Sequence, residues 1–415
     1  MIYANRLHHE GVKKILLIIM DGLGGRPSGQ LGGRTSLQAA YRPNMNFLAR
    51  NGIGGLMYPV SQGIRAGSDT SHLSILGYDP RVVYTGRGPF EAMGLGMDVS
   101  KGDVAFRANF ATRADSGFIS DRRAGRIQES TDELCRAISL NVGGVTFEVK
   151  PGVEHRAALV MHGDHLSSRV SDSDPHEAGK PPLDITATVD SAKRTANVLN
   201  QYLERIRKIL DDHPFNRDRV SNGKLPANEL LIRGAGMAPD LQDFQSKYGL
   251  RAACVAGIPM ISGICKLMGM DIIHAKGVTG RLDSDYESKI SSAVKSLDNH
   301  DFVIVNLKGP DIAGHDGNPL AKRDVIERAD SAFRQLVSLG HRVVISITGD
   351  HSTPAEYGDH SGDPVPILIY TENGRKDCAK RFDEVSCSRG SLRILSGDLM
   401  QYLLSVSDIT EKYGA

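Results

Sequence analysis

The amino-acid sequence predicts an α/β fold: a mostly parallel sheet sandwiched by helices, interrupted by an inserted α+β cap domain. Three observations carry that expectation. Short apolar runs stop abruptly in polar loops, helical periodicities lie between those runs, and the middle of the chain abandons both patterns.

Ile15 to Met20 is a continuous apolar run followed directly by Asp21-Gly22-Leu23-Gly24-Gly25, as expected of a strand buried on both faces. Two later runs repeat the design. Residues 301–307 lead into Lys308-Gly309-Pro310-Asp311, and residues 342–348 lead into Gly349-Asp350-His351. Val365 to Tyr370 is a fourth, in which Pro366 points to an edge strand or to a strand's first residues. Residues 43–51, 283–297 and 324–339 follow the helical period. In such folds ligands bind outside the carboxyl ends of the strands, where the polar residues just named stand. From about Tyr84 to Leu250 the chain has many short segments and charge-rich turns, one amphipathic helix over 185–210 and a polar surface loop over 211–225. Residues 1–82 and 256–415 are therefore expected to build one domain and residues 83–255 the inserted cap.

The bulk numbers narrow the function classes. A chain of 415 residues suggests about two domains. A formal charge of +1 exerts no global pull on nucleic acid or anionic membrane. No stretch reaches the ~18 apolar residues of a membrane span, and Ile15 to Met20 is too short for a signal peptide. Cys135, Cys254, Cys265, Cys378 and Cys387 form no C-x-x-C pair, which excludes a zinc knuckle and a redox dithiol and suits a reducing cytoplasm.

Four segments offer the residues of a metal-dependent centre. Asp21 can hold a cation while the glycines turn the backbone, although a turn or cap role explains a lone Asp equally well. The same segment is not a dinucleotide fingerprint, because Pro27 stands where the third glycine belongs. Ser68, in Gly67-Ser68-Asp69-Thr70-Ser71-His72, reads as a helix N-cap or as a nucleophile activated by a metal. Asp311 and His315 are spaced i, i+4 and share one face of a helical turn. Asp350 and His351 are adjacent, so in extended chain they point apart and would help to hold two ions rather than one. His360 follows in Asp359-His360-Ser361-Gly362-Asp363. Oxygen and imidazole donors without thiolates suit Mn²⁺ or Zn²⁺, with Mg²⁺ admissible. Two such ions roughly 4 Å apart would clamp the attacking and leaving oxygens of a phosphoryl transfer.

Together these motifs resemble the alkaline-phosphatase superfamily, and within it the archaeal-type, cofactor-independent phosphoglycerate mutases. The resemblance spans essentially the whole chain. It is carried by Ile18-Ile19-Met20-Asp21-Gly22-Leu23-Gly24-Gly25, by Gly67-Ser68 through Pro80, by Lys308-Gly309-Pro310-Asp311-Ile312-Ala313-Gly314-His315, by Gly349-Asp350-His351-Ser352 and by His360 through Pro366. It implies one ion on Asp311, His315 and His360, and a second on Asp21, Ser68, Asp350 and His351, with Ser68 transiently phosphorylated. The implied reaction is interconversion of 3-phosphoglycerate and 2-phosphoglycerate without bisphosphoglycerate. The alternatives are a phosphomonoesterase or another phosphotransferase on the same site, and a non-catalytic relative. The cap would keep the glycerate bound and exclude water. Arg107, Arg126 and Arg233 lie at places similar to substrate-binding arginines of the bacterial-type enzymes. Arg122 and Arg123 are the alternative grips, and Lys308 is placed to neutralise the phosphate. Each of these cations also has a bland reading as a solvated surface charge. The bacterial-type pattern has Asn-Ser-Glu where this chain has Gly67-Ser68-Asp69, so no substrate contact beyond Ser68 follows from that motif. The implied partner is a small phosphorylated acid rather than nucleic acid or membrane; the sequence does not indicate an oligomeric state.

Overall fold

Fourteen short segments pair into two sheets in the computed structural model, which describes residues 13–339, 342–410 and 412. In chain order they are β1 (Lys14–Met20), β2 (Ile53–Tyr58), β3 (Val104–Arg113), β4 (Ile119–Asp121), β5 (Leu140–Val142), β6 (Val145–Pro151) and β7 (Arg156–His162). There follow β8 (Glu229–Gly236), β9 (Ala252–Val255), β10 (Asp271–Ile272), β11 (Phe302–Leu307), β12 (Val343–Thr348), β13 (Val365–Tyr370) and β14 (Leu392–Leu395). The chain divides into two compact units, residues 1–83 with 241–415, and residues 84–240. The sequence had placed the second boundary at 255. Residues 241–255 go with the larger unit because β9 pairs in parallel with β11.

The larger unit holds the sheet ordered β10-β9-β11-β1-β12-β13-β2-β14. Its centre is β1, flanked in parallel by β11 and β12, and all three are buried along nearly their whole length. On one face Leu16, Ile18 and Met20 pack with Met45, Leu48, Ile290, Ala293, Ile326 and Phe333, which come from three helices. Two of these helices begin where side chains cap them. Asp285 accepts from Ser288 N ahead of Tyr286–Ser296, and Asn318 accepts from Ala321 N ahead of Pro319–Ala332. The second starts five residues earlier than its periodicity suggested and ends in a 3₁₀ turn, Phe333–Ser338.

One strand departs from the parallel expectation. β13 is not an edge but an inner strand, antiparallel to both β12 and β2. Pro366, its second residue, is tolerated there and accepts at its carbonyl from Thr348 Oγ1 at 3.0 Å. The reversal matters for the site. The residues that precede β13 arrive at the same edge as those that follow β1, β11 and β12.

The smaller unit is an antiparallel sheet, β4-β3-β7-β6-β5 with β8 on the other side of β3. The helix expected over 185–210 runs Lys193–Asp212 instead. Ile185 belongs to an extended segment whose backbone is held by the Asn200 amide, and it still packs into the core of this unit. The expected loop at 211–225 contains a helix, Pro214–Ser221. His213 caps it and Pro214 opens it, so its polar composition reflects exposure, not irregular backbone. Among the described residues no helix is long and apolar enough to cross a membrane. All five cysteines are free thiols.

Phe147 and Tyr202 stack at 3.9 Å in the core of the smaller unit, and the Tyr202 hydroxyl donates to Ile138 O at 3.0 Å. Phe147→Ala is expected to destabilise this unit by about 3–5 kcal/mol. Tyr202→Phe, which loses only the hydrogen bond, should cost about 1 kcal/mol. Pulsed labelling of buried Cys135, in the same core, against urea concentration reads both.

Candidate active site

Three neighbouring strands deliver acidic residues to one edge. Asp21 follows β1, Asp311 lies in the helix Gly309–His315 that follows β11, and Asp350 and His351 follow β12. His360 enters from the loop before β13, and Ser68 is the first residue of the helix Ser68–Ile75, after an extended Gly67. Ser68 makes no side-chain cap there, so the N-cap alternative is not realised. Gly22 makes the approach possible. Its φ is +65°, and a Cβ would lie 2.7 Å from the Asp311 Cα. Its N–H donates to Asp350 Oδ1 at 2.9 Å.

The side chains converge. Ser68 Oγ lies 3.1 Å from His351 Nε2 and 3.4 Å from Asp21 Oδ1. Asp311 Oδ1 is 3.5 Å from both His315 Nε2 and His360 Nε2. Donor atoms of Asp21, Asp350 and His351 lie within 4.8 Å of one another, as do those of Asp311, His351 and His360, and those of His315, Asp359 and His360. The expectation that Asp350 and His351 point apart does not hold. Asp350 sits in a bend, not a strand, and its Oδ2 is 3.3 Å from His351 Nε2, so both serve the same cluster.

Each of the three imidazoles has one ring nitrogen fixed by a hydrogen bond. Thr353 Oγ1 spends its proton on Asp311 Oδ1, at 2.8 Å, so its 3.1 Å contact with His351 makes Nδ1 of that ring the donor. His360 Nδ1 donates to Ala66 O and His315 Nδ1 to Gly358 O. In all three rings Nε2 is left to face the carboxylates, the arrangement in which a second partner fixes the tautomer of a metal-binding histidine. Asp350 Oδ2 is buried without a hydrogen-bond partner. An orphaned carboxylate oxygen among imidazole nitrogens and further carboxylates fits a hard divalent cation.

The electrostatics agree. Burial, then the neighbouring Asp350, pushes Asp21 up to about 7 against the pull of Lys308. Burial would raise Asp311 too, but Lys308 and His360 hold it well below the usual carboxylate range. Burial drives His351 down to about 4, so its ring stays neutral. Lys308 Nζ bridges Asp21 Oδ1 at 2.8 Å and Asp311 Oδ2 at 2.6 Å, and lies 3.4 Å from Ser68 Oγ. Burial opposes its charge, yet the three carboxylates raise its pKa.

Three participants escaped the sequence reading. Asn306 donates to Asp21 Oδ2 at 3.0 Å and to His72 Nε2 at 3.2 Å, and the buried His72 ring in turn donates from Nδ1 to Ser68 O at 2.6 Å. Thr353 links ligands of both groups. Asn306 left a signal, as the polar interruption of an otherwise apolar strand.

The smaller unit carries its own polar cavity of about 280 Å³, lined by Arg87, Arg107, Asp172, Arg233 and Gly234. Strand register places Arg107 of β3 opposite Arg233 of β8. Like charges in that position repel unless an anion lies between them. Burial, then Arg87, draws Arg107 down to about 9, and burial lowers Arg233 as well. Arg122 is committed to a two-pronged pair with Asp174, at 3.1 and 2.7 Å, and Asp174 also faces Arg233 at 3.5 Å. Arg123 and Arg126 are exposed and line no part of the cavity, whereas Arg87, missed from sequence, does.

Comparison with known proteins adds family context. A family model described as 2,3-bisphosphoglycerate-independent phosphoglycerate mutase matches residues 49–216. The chain is 55% identical over 404 residues to the protein of that name from Thermoplasma volcanium, covering 97% of this chain and 99% of the relative. Its identity to the Picrophilus torridus counterpart is 54%, over 97% of this chain and all of the relative. Among solved structures, a Pyrococcus horikoshii protein matches with a TM-score of 0.86 at 39% identity, over 97% of this chain and 100% of that one. The cofactor-independent phosphoglycerate mutase of Thermoplasma acidophilum matches with a TM-score of 0.72 at 50% identity, over 95% and 100%.

Two outcomes follow from the crowding of cations in the smaller unit. Sulfate should raise the unfolding midpoint of the smaller unit, and Arg107→Met should abolish that rise, as read by Cys135 labelling. Burial, then Arg156, Arg123 and Arg107, depresses buried His155 from 6.5 to about 4, and its Nδ1 has no hydrogen-bond partner. The unfolded chain therefore binds a proton that the folded chain refuses. Stability should fall as pH drops from about 6.5 towards 4. His155→Gln should flatten that slope in urea titrations across the same range.

Proposed function

The chain belongs to the cofactor-independent phosphoglycerate mutases, which are isomerases, and from that premise we propose that it interconverts 3-phosphoglycerate and 2-phosphoglycerate through a phosphorylated Ser68. The observation that carries the proposal is the position of Ser68 Oγ, within 3.4 Å of His351, Asp21 and Lys308, where both groups of candidate ligands meet. Two divalent ions, Mn²⁺ or Zn²⁺ with Mg²⁺ admissible, held by Asp311, His315 and His360 and by Asp21, Ser68, Asp350 and His351, would supply Lewis-acid charge and acidify the serine hydroxyl.

In the first half-reaction Ser68 Oγ bonds to phosphorus, the bond from phosphorus to O3 of the glycerate breaks, and the serine proton is balanced by the one that O3 takes up. In the second, O2 of the glycerate attacks, the bond to Oγ breaks, and serine regains its proton. Lys308 keeps its charge throughout and opposes the negative charge of the phosphoryl oxygens. In the smaller unit, the cavity lined by Arg107, Arg233 and Arg87 suits a carboxylate such as that of the glycerate. Arg122 acts on this cavity through Asp174, which it shares with Arg233.

Incubation of the enzyme and Mn²⁺ with 3-phosphoglycerate, followed by ³¹P NMR, should show 2-phosphoglycerate. Free phosphate as the main product would replace the mutase reading by a phosphomonoesterase on the same site. Ser68→Ala should lose activity by on the order of 10⁴–10⁶-fold and trap no phosphoenzyme, with an unchanged circular dichroism spectrum. Near-normal turnover would remove Ser68 from the nucleophile's role.

A further inference from the structure

Lys322 lies in the helix Pro319–Ala332 and is only 1% exposed. An ammonium this deep normally faces a carboxylate. Lys322 faces three backbone carbonyls instead, donating to Gly22 O at 2.7 Å, Gly24 O at 2.9 Å and Thr353 O at 2.8 Å. Those acceptors use all three of its protons. Glu384, the acidic group that acts most strongly on Lys322, is turned to other partners and accepts from Gly25 N at 3.1 Å and Thr35 Oγ1 at 2.8 Å.

The choice of carbonyls is informative. Gly22 and Gly24 belong to the loop that carries Asp21. Thr353 belongs to the loop that carries Asp350 and His351, and its own hydroxyl holds Asp311 Oδ1 and His351 Nδ1. A hydrophobic side chain at 322 could fill the volume but could not draw three carbonyl dipoles to one point. Gly24 and Ser352 are already in tight contact, since a Cβ on Gly24 would lie 1.9 Å from Ser352 Oγ. Without a cation the repelling carbonyls would splay that contact.

We propose that Lys322 is a positioning residue that ties the loop after β1 to the loop after β12 and so sets the spacing between the two groups of metal ligands. The proposal rests on the two-metal reading of the site. Lys322 touches neither a ligand side chain nor the reacting atoms, so its effect should pass through metal affinity.

The test titrates Mn²⁺ into metal-free wild type, Lys322→Met, Lys322→Gln and Asp330→Ala, with free Mn²⁺ read by electron paramagnetic resonance and the melting temperature read in parallel. Asp330 is a buried residue of the same helix that holds Asn44 N and Met45 N away from the site, so its variant controls for lost stability alone. Lys322→Met is expected to weaken Mn²⁺ binding by about 10–100-fold, the range seen when partners of metal ligands are removed. Lys322→Gln, which keeps an amide donor, should fall between it and wild type, and it decides the matter if the Met variant does not fold. Asp330→Ala should lower the melting temperature while Mn²⁺ affinity stays within about twofold of wild type. Wild-type affinity in the folded Lys322 variants, or an equal loss in Asp330→Ala, would overturn the positioning role. Absence of Mn²⁺ binding by the wild type would overturn the two-metal reading and this proposal with it.

Discussion

Repulsion among three buried carboxylates is the constraint around which the larger unit is organised. Asp21, Asp311 and Asp350 stand at the ends of adjacent parallel strands, and all are almost fully buried. The sheet leaves them no alternative placement, because the residues that follow β11, β1 and β12 must emerge side by side. Lys308 bridges two of the three, and the buried imidazole of His351 stays neutral. One ammonium does not balance three carboxylates. Burial and the neighbouring Asp350 raise Asp21 to about 7, and one oxygen of Asp350 is left without a hydrogen-bond partner. Such a cluster is stable as a binding site for further positive charge and costly as anything else.

The smaller unit shows the opposite imbalance. Arg87, Arg107 and Arg233 share a cavity with Asp172, while Arg233 shares Asp174 with Arg122. Antiparallel register forces the Arg107–Arg233 opposition in the same way that parallel register forces the carboxylates together. The larger unit thus keeps a buried carboxylate oxygen without a hydrogen-bond partner, and the smaller unit crowds several guanidinium groups around one cavity. The first suits divalent cations and the second an anion such as a carboxylate.

What was legible in the sequence was whatever local pattern determines. A buried parallel strand is a short apolar run, so Asp21, Asp311 and Asp350 could be placed at strand ends before any coordinates. The i, i+4 spacing of Asp311 and His315 translated directly into a shared helical face. What depended on pairing was hidden. Nothing local announces that β13 runs against its neighbours, yet this reversal carries His360 to the ligand edge. The inference that Asp350 and His351 diverge failed because it assumed extended backbone one residue past the strand. The helix that Pro319 opens was started five residues late, and the one that Pro214 opens was read as a loop because its residues are mostly polar. Arg87 was invisible because its importance comes from β3 and β8, with which it shares no sequence pattern. Lys322 had no local signature either, since an amphipathic helix with one buried lysine reads as a helix with one more exposed charge.

On the proposed route the reaction would be decided by the fate of the phosphoserine, not by how it forms. A phosphatase and a mutase can share the nucleophile, the carboxylates and the imidazoles, since both would transfer phosphate to the same serine. They part when water competes with the second hydroxyl of the glycerate. Water is present at ~55 M, whereas a group held in reacting geometry reaches an effective concentration of ~10⁵ M or more. A carboxylate gripped by several arginines at once can supply that advantage, because it restricts the glycerate to reorientation in place while keeping both hydroxyls within reach. The partition between hydrolysis and isomerisation would therefore turn on a grip of that kind. The serine centre, for all its convergence of ligands, is silent on it.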